Sequence, residues 1–219
     1  AINETPIWPP AADCLIIAAL NISSLPKHFH DLTRDKILNE CQMVCLCETW
    51  LPLSAVTGPE WIPYRCIISN GGRGKGLATY AKNLDPFDTT FSNEVEGLSI
   101  MKHQLVNIDV ISVYRSNSCT NDHLITQMKE ILNPVRTTLV LGDFNHQPTQ
   151  GHPFTRFMQQ EDFKQLVEWP TQETAGNTLD HIYIRDPAGR VSYDLKKNSS
   201  YFSDHTTNLI RIQFQTSTP

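Results

Sequence analysis

The sequence predicts an α/β protein in which two mostly antiparallel sheets pack together and carry helices on their outer sides. Residues 14–20 and 43–47 are short, continuous apolar runs, which are typical of strands buried on both faces. Residues 121–134 instead carry apolar side chains at helical spacing and end at Pro134. Short buried strands mixed with amphipathic helices favour sheets that pack on each other under a helical cover.

The first half of the chain is predicted to contain one helix and six strands. Pro26 begins the helix, which continues to about residue 41 with Phe29, Leu32 and Ile37 on one face. The Gly-rich segment 71–76 joins two strands into a hairpin. A second hairpin is predicted because its later arm alternates apolar and polar residues. The predicted strands are 14–20, 43–47, 64–68, 76–82, 97–102 and 105–114.

The second half is predicted to contain two helices and three strands. Asn121 caps a helix with a regular apolar stripe, and a shorter helix follows at about 153–160. Strands are predicted at 138–141, 180–185 and 208–214, and the last two are separated by the polar, basic segment 186–200.

Length and composition fit one domain over 1–219, in which an irregular lead-in (1–13) precedes a core over 14–214. The 219 residues are 40% hydrophobic and 19% charged, an ordinary composition for a chain with a large core. The longest apolar run, 15–20, is far shorter than the ~20 residues that span a bilayer, and the first residues lack the features of a secretory signal. We expect no membrane partner, a monomeric domain, and a nuclear or cytoplasmic location, not a secreted protein.

The six cysteines indicate a reduced protein. Cys41, Cys45 and Cys47 crowd around one predicted strand, and Cys14 begins another. Small thiol side chains in apolar runs are typical of core packing, so we expect free cysteines and no disulfide framework.

Polar residues stand at the ends of several buried strands. A single Asp or Asn there usually makes a turn or a helix cap. A carboxylate directly after an apolar run is less common, because an unpaired buried charge is unfavourable by several kcal/mol. The repetition at many strand ends therefore predicts a shared site. Its members are Asn21, Glu48, Tyr114–Arg115, Gly142–Asn145, Asp180–His181 and Ser203–His205.

This set of residues supports hydrolysis of a phosphate ester. Glu48 is a hard oxygen ligand suited to Mg²⁺ or Mn²⁺. Asp180 can orient His205 as a proton carrier, and Asp143 can align or deprotonate a water molecule. Which of Asp143 and His205 is the general base stays open. Asn21, Asn145 and Tyr114 can donate to the developing negative charge.

The ordered set resembles the endonuclease/exonuclease/phosphatase superfamily, the DNase I-like fold. The resemblance spans 14–214 and is carried by Asn21, Cys47–Trp50, Tyr114, Gly142–Asn145, Leu179–Ile182 and Ser203–His205. Within the superfamily, Glu48-Thr-Trp-Leu51 and the segment 71–77 look most like the apurinic-type endonuclease domain of non-LTR retrotransposons.

The resemblance implies a four-layered α/β sandwich and a divalent-metal nuclease that nicks one strand of double-stranded DNA. It assigns Glu48 as the principal metal ligand, with Asn21 beside it and Asp204 completing the site. It places Asp143 and Asn145 at the scissile phosphate and makes Asp180 the partner of His205. Tyr114 corresponds to a phosphate-contacting tyrosine. The resemblance also implies that a reverse transcriptase accompanies the domain in a larger polyprotein.

Two departures bear on substrate and metal arrangement. Many relatives with apurinic activity have an acidic residue two positions after the first Asn, where this chain has Ser23. The Tyr114–Arg115 pair is followed by Ser116 and Asn117, where the mobile-element branch often has a proline.

Basic residues near these motifs are candidates for DNA contact. Arg73 and Lys75 lie in the Gly-rich segment, which is otherwise read as a tight hairpin turn. Arg190, Lys196 and Lys197 lie in the segment 186–200 before the last motif, which is otherwise read as a solvated surface. The full set of predicted substrate contacts is Arg73, Lys75, Arg115, His146, Arg190, Lys196 and Lys197.

Net charge first argues against a DNA-coating surface, because 18 basic residues face 23 acidic ones. Four of those acids, Glu48, Asp143, Asp180 and Asp204, belong to the predicted site, and without them the balance is 18 to 19. The charge therefore predicts a weak, salt-sensitive grip on DNA.

The leading hypothesis is a Mg²⁺-dependent DNA endonuclease. One alternative is a phosphodiesterase or phosphatase acting on RNA, an inositol phosphate or a phospholipid. Residues 180–184 lack the tryptophan-cysteine-aspartate-arginine signature of the inositol phosphatases. A second alternative is a catalytically silent binding module, against which the intact set Glu48, Asp143, Asp180 and His205 argues.

Overall fold

The computed structural model describes residue 8 and residues 14–69, 71–84, 87–172 and 174–215. Apart from Trp8, the predicted lead-in 1–13 lies outside these residues. The elements, in chain order, are β1 (Cys14–Asn21), α1 (Leu25–Arg34), α2 (Lys36–Glu40), β2 (Met43–Cys47), β3 (Arg65–Ser69), β4 (Leu77–Ala81), β5 (Phe87–Val95), β6 (Leu98–Leu105), β7 (Asp109–Arg115), α3 (Asn121–Ile131), β8 (Thr138–Asp143), α4 (Pro153–Gln160), β9 (Lys164–Gln165), β10 (Asp180–Arg185), β11 (Val191–Ser199) and β12 (Thr206–Phe214).

The strands form two six-stranded sheets. The first sheet has the order β11-β12-β1-β2-β4-β3 and the second β5-β6-β7-β8-β10-β9. Each sheet contains one parallel pair at its centre, β1 with β2 and β7 with β8, and its other pairs are antiparallel. This arrangement confirms the predicted mostly antiparallel pairing.

The central strands are buried on both faces, which explains their continuous apolar runs. In β1, Ile17 and Ala19 face the second sheet and pack with Val110, Leu139 and Ile182. Their neighbours Ala18 and Leu20 face the opposite way, into a cluster with residues of α1 and α2. On the far side of the second sheet, side chains of α3 and α4 cover β7 and β8. The predicted four-layered sandwich, with helices outside, is confirmed.

The predicted helix over 26–41 is in fact two helices. Asp35 ends α1 with an extended backbone and begins α2, because its Oδ1 accepts a hydrogen bond from the Leu38 backbone N–H at 3.0 Å. The predicted cap Asn121 is likewise displaced by one residue. Thr120 caps α3, and its Oγ1 accepts from the His123 N–H at 3.1 Å.

Two long strands, β5 and β11, were not predicted. Both lie at sheet edges, where one side of the strand has no partner and polar residues are tolerated. Most of β11 is exposed or half-buried, so it lacks the apolar run that marks a central strand. The predicted arm 105–114 is also shorter than expected, because 106–108 form the turn between β6 and β7.

None of the six cysteines, all of which the structure describes, forms a disulfide, and Cys41, Cys45, Cys47 and Cys119 are buried. Their predicted role as core residues is confirmed. Within the part of the chain that the structure describes, no helix has the length and apolar character to cross a membrane.

We predict that Gly142→Ala destabilises the fold. Gly142 pairs with Val113 across the parallel β7–β8 ladder and has a φ of 137°. A Cβ there would overlap the Val113 carbonyl oxygen, and the backbone itself is in a region that favours glycine. The substitution should lower the free energy of unfolding by ~3 kcal/mol or more, measured by urea denaturation.

The matched control is Gly151→Ala. A Cβ at Gly151 would meet no atom within 4 Å, and its φ lies outside the left-handed region. Equal stability losses in the two variants would contradict the steric argument.

Candidate active site

The polar strand ends converge at one edge of the sandwich. Strand register alone places Asp180 beside Asp143, Asp143 beside Tyr114, and Tyr114 beside Ser99 across four strands of the second sheet. Glu94 ends this row on the edge strand β5. In the first sheet, Asn21 lies beside Cys47, the residue before Glu48. The predicted convergence is therefore a consequence of strand register.

Asn21 joins the two sheets. Its side-chain amide nitrogen donates to Glu48 Oε1 at 3.0 Å and to Asp143 Oδ2 at 2.8 Å. Its side-chain amide oxygen, Oδ1, accepts from the Ser23 backbone N–H at 3.0 Å and from the Ser23 hydroxyl at 3.3 Å. The residue is 1% exposed. A single buried amide thus connects a carboxylate after β2 to a carboxylate at the end of β8.

Asp180 and His205 form a buried pair. Asp180 Oδ2 lies 2.7 Å from His205 Nδ1. Burial alone lowers the pKa of His205, but the hydrogen bond and charge of Asp180 outweigh it. With the charges of Asp143 and Asp204, they raise the pKa to about 9. The imidazole is therefore protonated at neutral pH, and its Nδ1–H donates to Asp180.

Asp143 lies between Asn21 on one side and the Asp180–His205 pair on the other, and it is 1% exposed. Its Oδ1 accepts from the Asn145 backbone N–H at 2.9 Å. Burial raises the pKa of Asp143, and the nearby charge of Asp180 raises it further, although His205 and Asn21 oppose this effect. Asn145 has a left-handed backbone with a φ of 50°, and its side-chain amide donates to the Arg115 carbonyl at 2.7 Å. Asn145 therefore lies beside Asp143, and the predicted place of both residues at the scissile phosphate stays a prediction.

Tyr114 is buried beside Glu48 and Asp143. Burial raises the pKa of its hydroxyl, and the charge of Glu48 and a hydrogen bond to it act in the same direction. The hydroxyl therefore stays protonated and available as a donor.

The site has the ligands that a divalent cation requires. Asp143, Asp180 and His205 place one potential ligand atom each within 4.8 Å of one another, and His205 could bind a cation only after losing its proton. Asp143 and Asp180 are buried carboxylates that raise the energy of each other's ionised form, and a cation would offset that repulsion. Glu48 adds a third carboxylate across the Asn21 bridge. Carboxylate oxygens are the ligands that Mg²⁺ prefers, so these residues fit such an ion.

Comparison with known proteins finds a matching family model and solved structures of similar fold. A family model described as "Endonuclease-reverse transcriptase" matches residues 108–208. The solved AP endonuclease from Archaeoglobus fulgidus is 18% identical, with a TM-score of 0.64 over 92% of this chain and 100% of that chain. The endonuclease domain of TRAS1, a telomere-specific non-LTR retrotransposon, is 12% identical, with a TM-score of 0.67 over 93% of this chain and 100% of that chain.

The chain has the DNase I-like fold.

A third structure with this superfamily fold is the 3′ phosphatase NExo from Neisseria, solved with a product DNA hairpin. It is 15% identical, with a TM-score of 0.59 over 92% of this chain and 100% of that chain. No curated protein sequence matches the chain. The resemblance stated from the sequence motifs is confirmed at the level of the superfamily fold.

Two predicted metal ligands, Asn21 and Asp204, are outside the group of three close ligand atoms. The side-chain amide oxygen of Asn21, the atom that would bind a cation, already accepts two hydrogen bonds from Ser23. Its assignment as a metal ligand is therefore replaced by the bridging role. Asp204 is exposed next to His205 and is outside the group of three close ligand atoms, so its place at the metal stays a prediction.

Arg115 and His146 are also corrected. Arg115 is 9% exposed, and its guanidinium donates to the carbonyls of Cys119 and Phe144. His146 stacks on His152 with ring centres 3.6 Å apart, and its Nδ1 faces Arg115 and the Phe144 carbonyl. Burial and the neighbouring His181 lower the pKa of His146 to about 2, so the ring is neutral. Both side chains are thus occupied by contacts with the protein around Asn145, which argues against the predicted contact with substrate.

The other predicted DNA contacts lie at different distances from the site. Arg73 and Lys75 are exposed on the segment 71–76, whose backbone bonds to residues 49–51 beside Glu48. Arg190 instead lines a cleft of about 760 Å³ with Cys14 and Phe214, at the opposite end of the strands. The nine residues of β11, about 30 Å of strand, separate Arg190 from the active site. This position contradicts its predicted role as a substrate contact.

Lys196 and Lys197 lie partway along β11. Lys196 stands over the Trp8 ring at 5.0 Å, and Lys197 is exposed. Their contact with DNA stays a prediction.

Thr171 is a site residue that the sequence did not reveal. Its hydroxyl oxygen accepts from the backbone N–H groups of Leu179 and Asp180 at 2.9 and 3.0 Å. Its carbonyl accepts from the Thr206 N–H at 2.7 Å. One buried threonine thus fixes both chain segments that carry the Asp180–His205 pair. Its partners are 8 to 35 residues away, so no local pattern could have identified it.

We predict that Asp180→Asn lowers the pKa of His205. The substitution removes the charge that keeps the imidazole protonated, so the pKa should fall from about 9 toward its ordinary value of 6.5. Titration of the metal-free protein by NMR measures it directly. Asp204→Asn is the matched control, because its charge contributes least, and an equal fall in both variants would contradict the pairing.

We predict that Thr171→Val destabilises the protein and that Thr171→Ser does not. Valine keeps the shape but leaves two buried N–H groups without an acceptor, at a cost of ~1–3 kcal/mol, whereas serine keeps the oxygen. Urea denaturation compares the three proteins. Similar stability of the valine variant and the parent would remove Thr171 from the site.

Proposed function

We propose that the chain is a divalent-metal-dependent endonuclease that nicks one strand of double-stranded DNA. The observation that carries the proposal is the meeting of Glu48, Asp143, Asp180 and His205 at one edge of both sheets, with Asn21 joining two of them. Mg²⁺ is the proposed cation and Mn²⁺ a substitute, because the available ligands are carboxylate oxygens.

The carboxylates of Glu48 and Asp143 would hold the cation, with Asp204 as the predicted further ligand. When bound, the cation would stabilise negative charge on the scissile phosphate. Asp143, which Asn21 and the Asn145 N–H hold in place, is the candidate for aligning the attacking water and accepting its proton. The protonated His205, held by Asp180, is suited to donate to a phosphate oxygen through its other nitrogen.

Three observations support DNA as the substrate. The matched family model is described as "Endonuclease-reverse transcriptase", and the TRAS1 endonuclease domain has a similar fold. Arg73 and Lys75 are exposed on a segment bonded to the loop that follows Glu48. From the same comparisons we propose that the domain nicks targets for a non-LTR retrotransposon as part of a polyprotein. Its monomeric state and its nuclear or cytoplasmic location stay the expectations drawn from the sequence.

We predict that the purified chain converts supercoiled plasmid to open circles with Mg²⁺ and that EDTA stops the reaction. Asp143→Asn and His205→Ala should each lower the nicking rate by ~10²–10⁴-fold, because each removes a proton-transfer or charge-stabilising group. Gel separation of the plasmid forms gives the rates.

Asp122→Asn is the control, since this exposed acid lies in the first turn of α3 on the outer side of the second sheet. Parental nicking by both active-site variants would show that the assignment of the site is wrong. Nicking that persists in EDTA would contradict the metal dependence.

A 3′ phosphatase is the second candidate, because the Neisseria enzyme shares the fold. A duplex with a 3′-phosphate at an internal nick, compared with intact plasmid, separates the two activities. Release of phosphate without nicking of plasmid would favour the second candidate. Turnover of inositol polyphosphates alone would favour the broader phosphodiesterase alternative, and failure of the parent to bind Mg²⁺ would favour a silent binding module.

A further inference from the structure

Trp50 lies two residues beyond Glu48, at the rim of the active site. Its indole Nε1–H donates to Glu48 Oε2 at 3.3 Å. The other oxygen of this carboxylate, Oε1, accepts from Asn21 at 3.0 Å. Each oxygen of Glu48 therefore accepts from its own neutral N–H donor, in addition to the hydrogen bond between this carboxylate and the Tyr114 hydroxyl.

The backbone that carries these two residues is unusual. Glu48 and Trp50 both have left-handed conformations, with φ values of 52° and 55°. Such conformations are unfavourable for residues other than glycine and persist where the surroundings fix them. Here the segment 71–76 does so through backbone hydrogen bonds from Thr49 N to Gly76 O at 3.3 Å and from Trp50 N to Lys75 O at 3.0 Å.

The same segment places a charge on the Trp50 ring. The Arg73 guanidinium lies 5.6 Å from the centre of the indole, within the range of a cation–π contact. Arg73 is exposed, whereas Trp50 is half-buried. The indole therefore has Glu48 at its nitrogen and a cation over its face.

We propose that Trp50 is a positioning residue for Glu48. Its N–H holds the carboxylate in the orientation that binds the divalent cation, and its ring holds Arg73 beside the site, where DNA phosphates would pass. The inference rests on the proposed function, because it takes Glu48 as a metal ligand. It adds that metal affinity and DNA contact are linked through one side chain.

Calorimetric titration of Mn²⁺ into the DNA-free protein tests the proposal. Trp50→Phe keeps an aromatic ring and removes the N–H, and it should weaken metal affinity about tenfold. Trp50→His restores an N–H donor and should recover part of that loss. At saturating metal, the nicking rate of Trp50→Phe should stay within a few-fold of the parental rate.

Two control variants separate the roles. Trp169→Phe removes an indole N–H that donates to Asn208 Oδ1 at 2.9 Å, and it should leave metal affinity unchanged. Arg73→Ala should also leave metal affinity unchanged, but it should raise KM for plasmid several-fold and reduce the dependence on salt.

A second measurement needs no substitution of Trp50. The indole N–H resonance of Trp50 in the parent should move during Mg²⁺ titration, and in Glu48→Gln it should lose that response. Parental metal affinity in Trp50→Phe, or an indole resonance that ignores metal, would overturn the positioning role. If the parent itself binds no divalent metal, the proposed function fails instead.

Discussion

The Asn21 amide is the interaction on which the active site depends. Two carboxylates, one from each sheet, meet at a single nitrogen that is almost wholly buried. Without this donor, Glu48 and Asp143 would lose a shared partner and face each other with little water to screen their charges. The geometry of the site therefore depends on this contact and on the distance between the two sheets. Packing in the core determines that distance, so stability and chemistry are closely connected here.

The parts that were predictable from sequence share one property, which is that they depend on neighbours along the chain. Buried runs such as 14–20 and 138–141 identify central strands, and the polar residue that follows each run must lie at a strand end. Strand register then brings Asp143, Asp180 and Tyr114 together without further information. The superfamily resemblance supplied the roles that spacing alone left open.

The parts that were missed depend on contacts distant in sequence. Arg115 follows a motif residue, yet its guanidinium turns to the carbonyls of Cys119 and Phe144. His146 follows Asn145 but packs on His152, and burial keeps its ring neutral. The edge strands β5 and β11 carry polar sequences because one side of each is unpaired, so they resemble loops. Proximity to a motif was therefore a poor guide to where a side chain points.

The two parallel pairs have a consequence for the whole architecture. Both sheets have the same pattern, and matching them strand by strand aligns β1, α1 and β2 with β7, α3 and β8. The molecule is thus an approximate twofold repeat, and one copy is divided between the beginning and the end of the described chain. Glu48 and Asp143 occupy equivalent places in the two copies, after β2 and at the end of β8. Both halves therefore contribute to the active site, with Glu48 and His205 next to strands of the first sheet and Asp143 and Asp180 on strands of the second, and neither half holds a complete site.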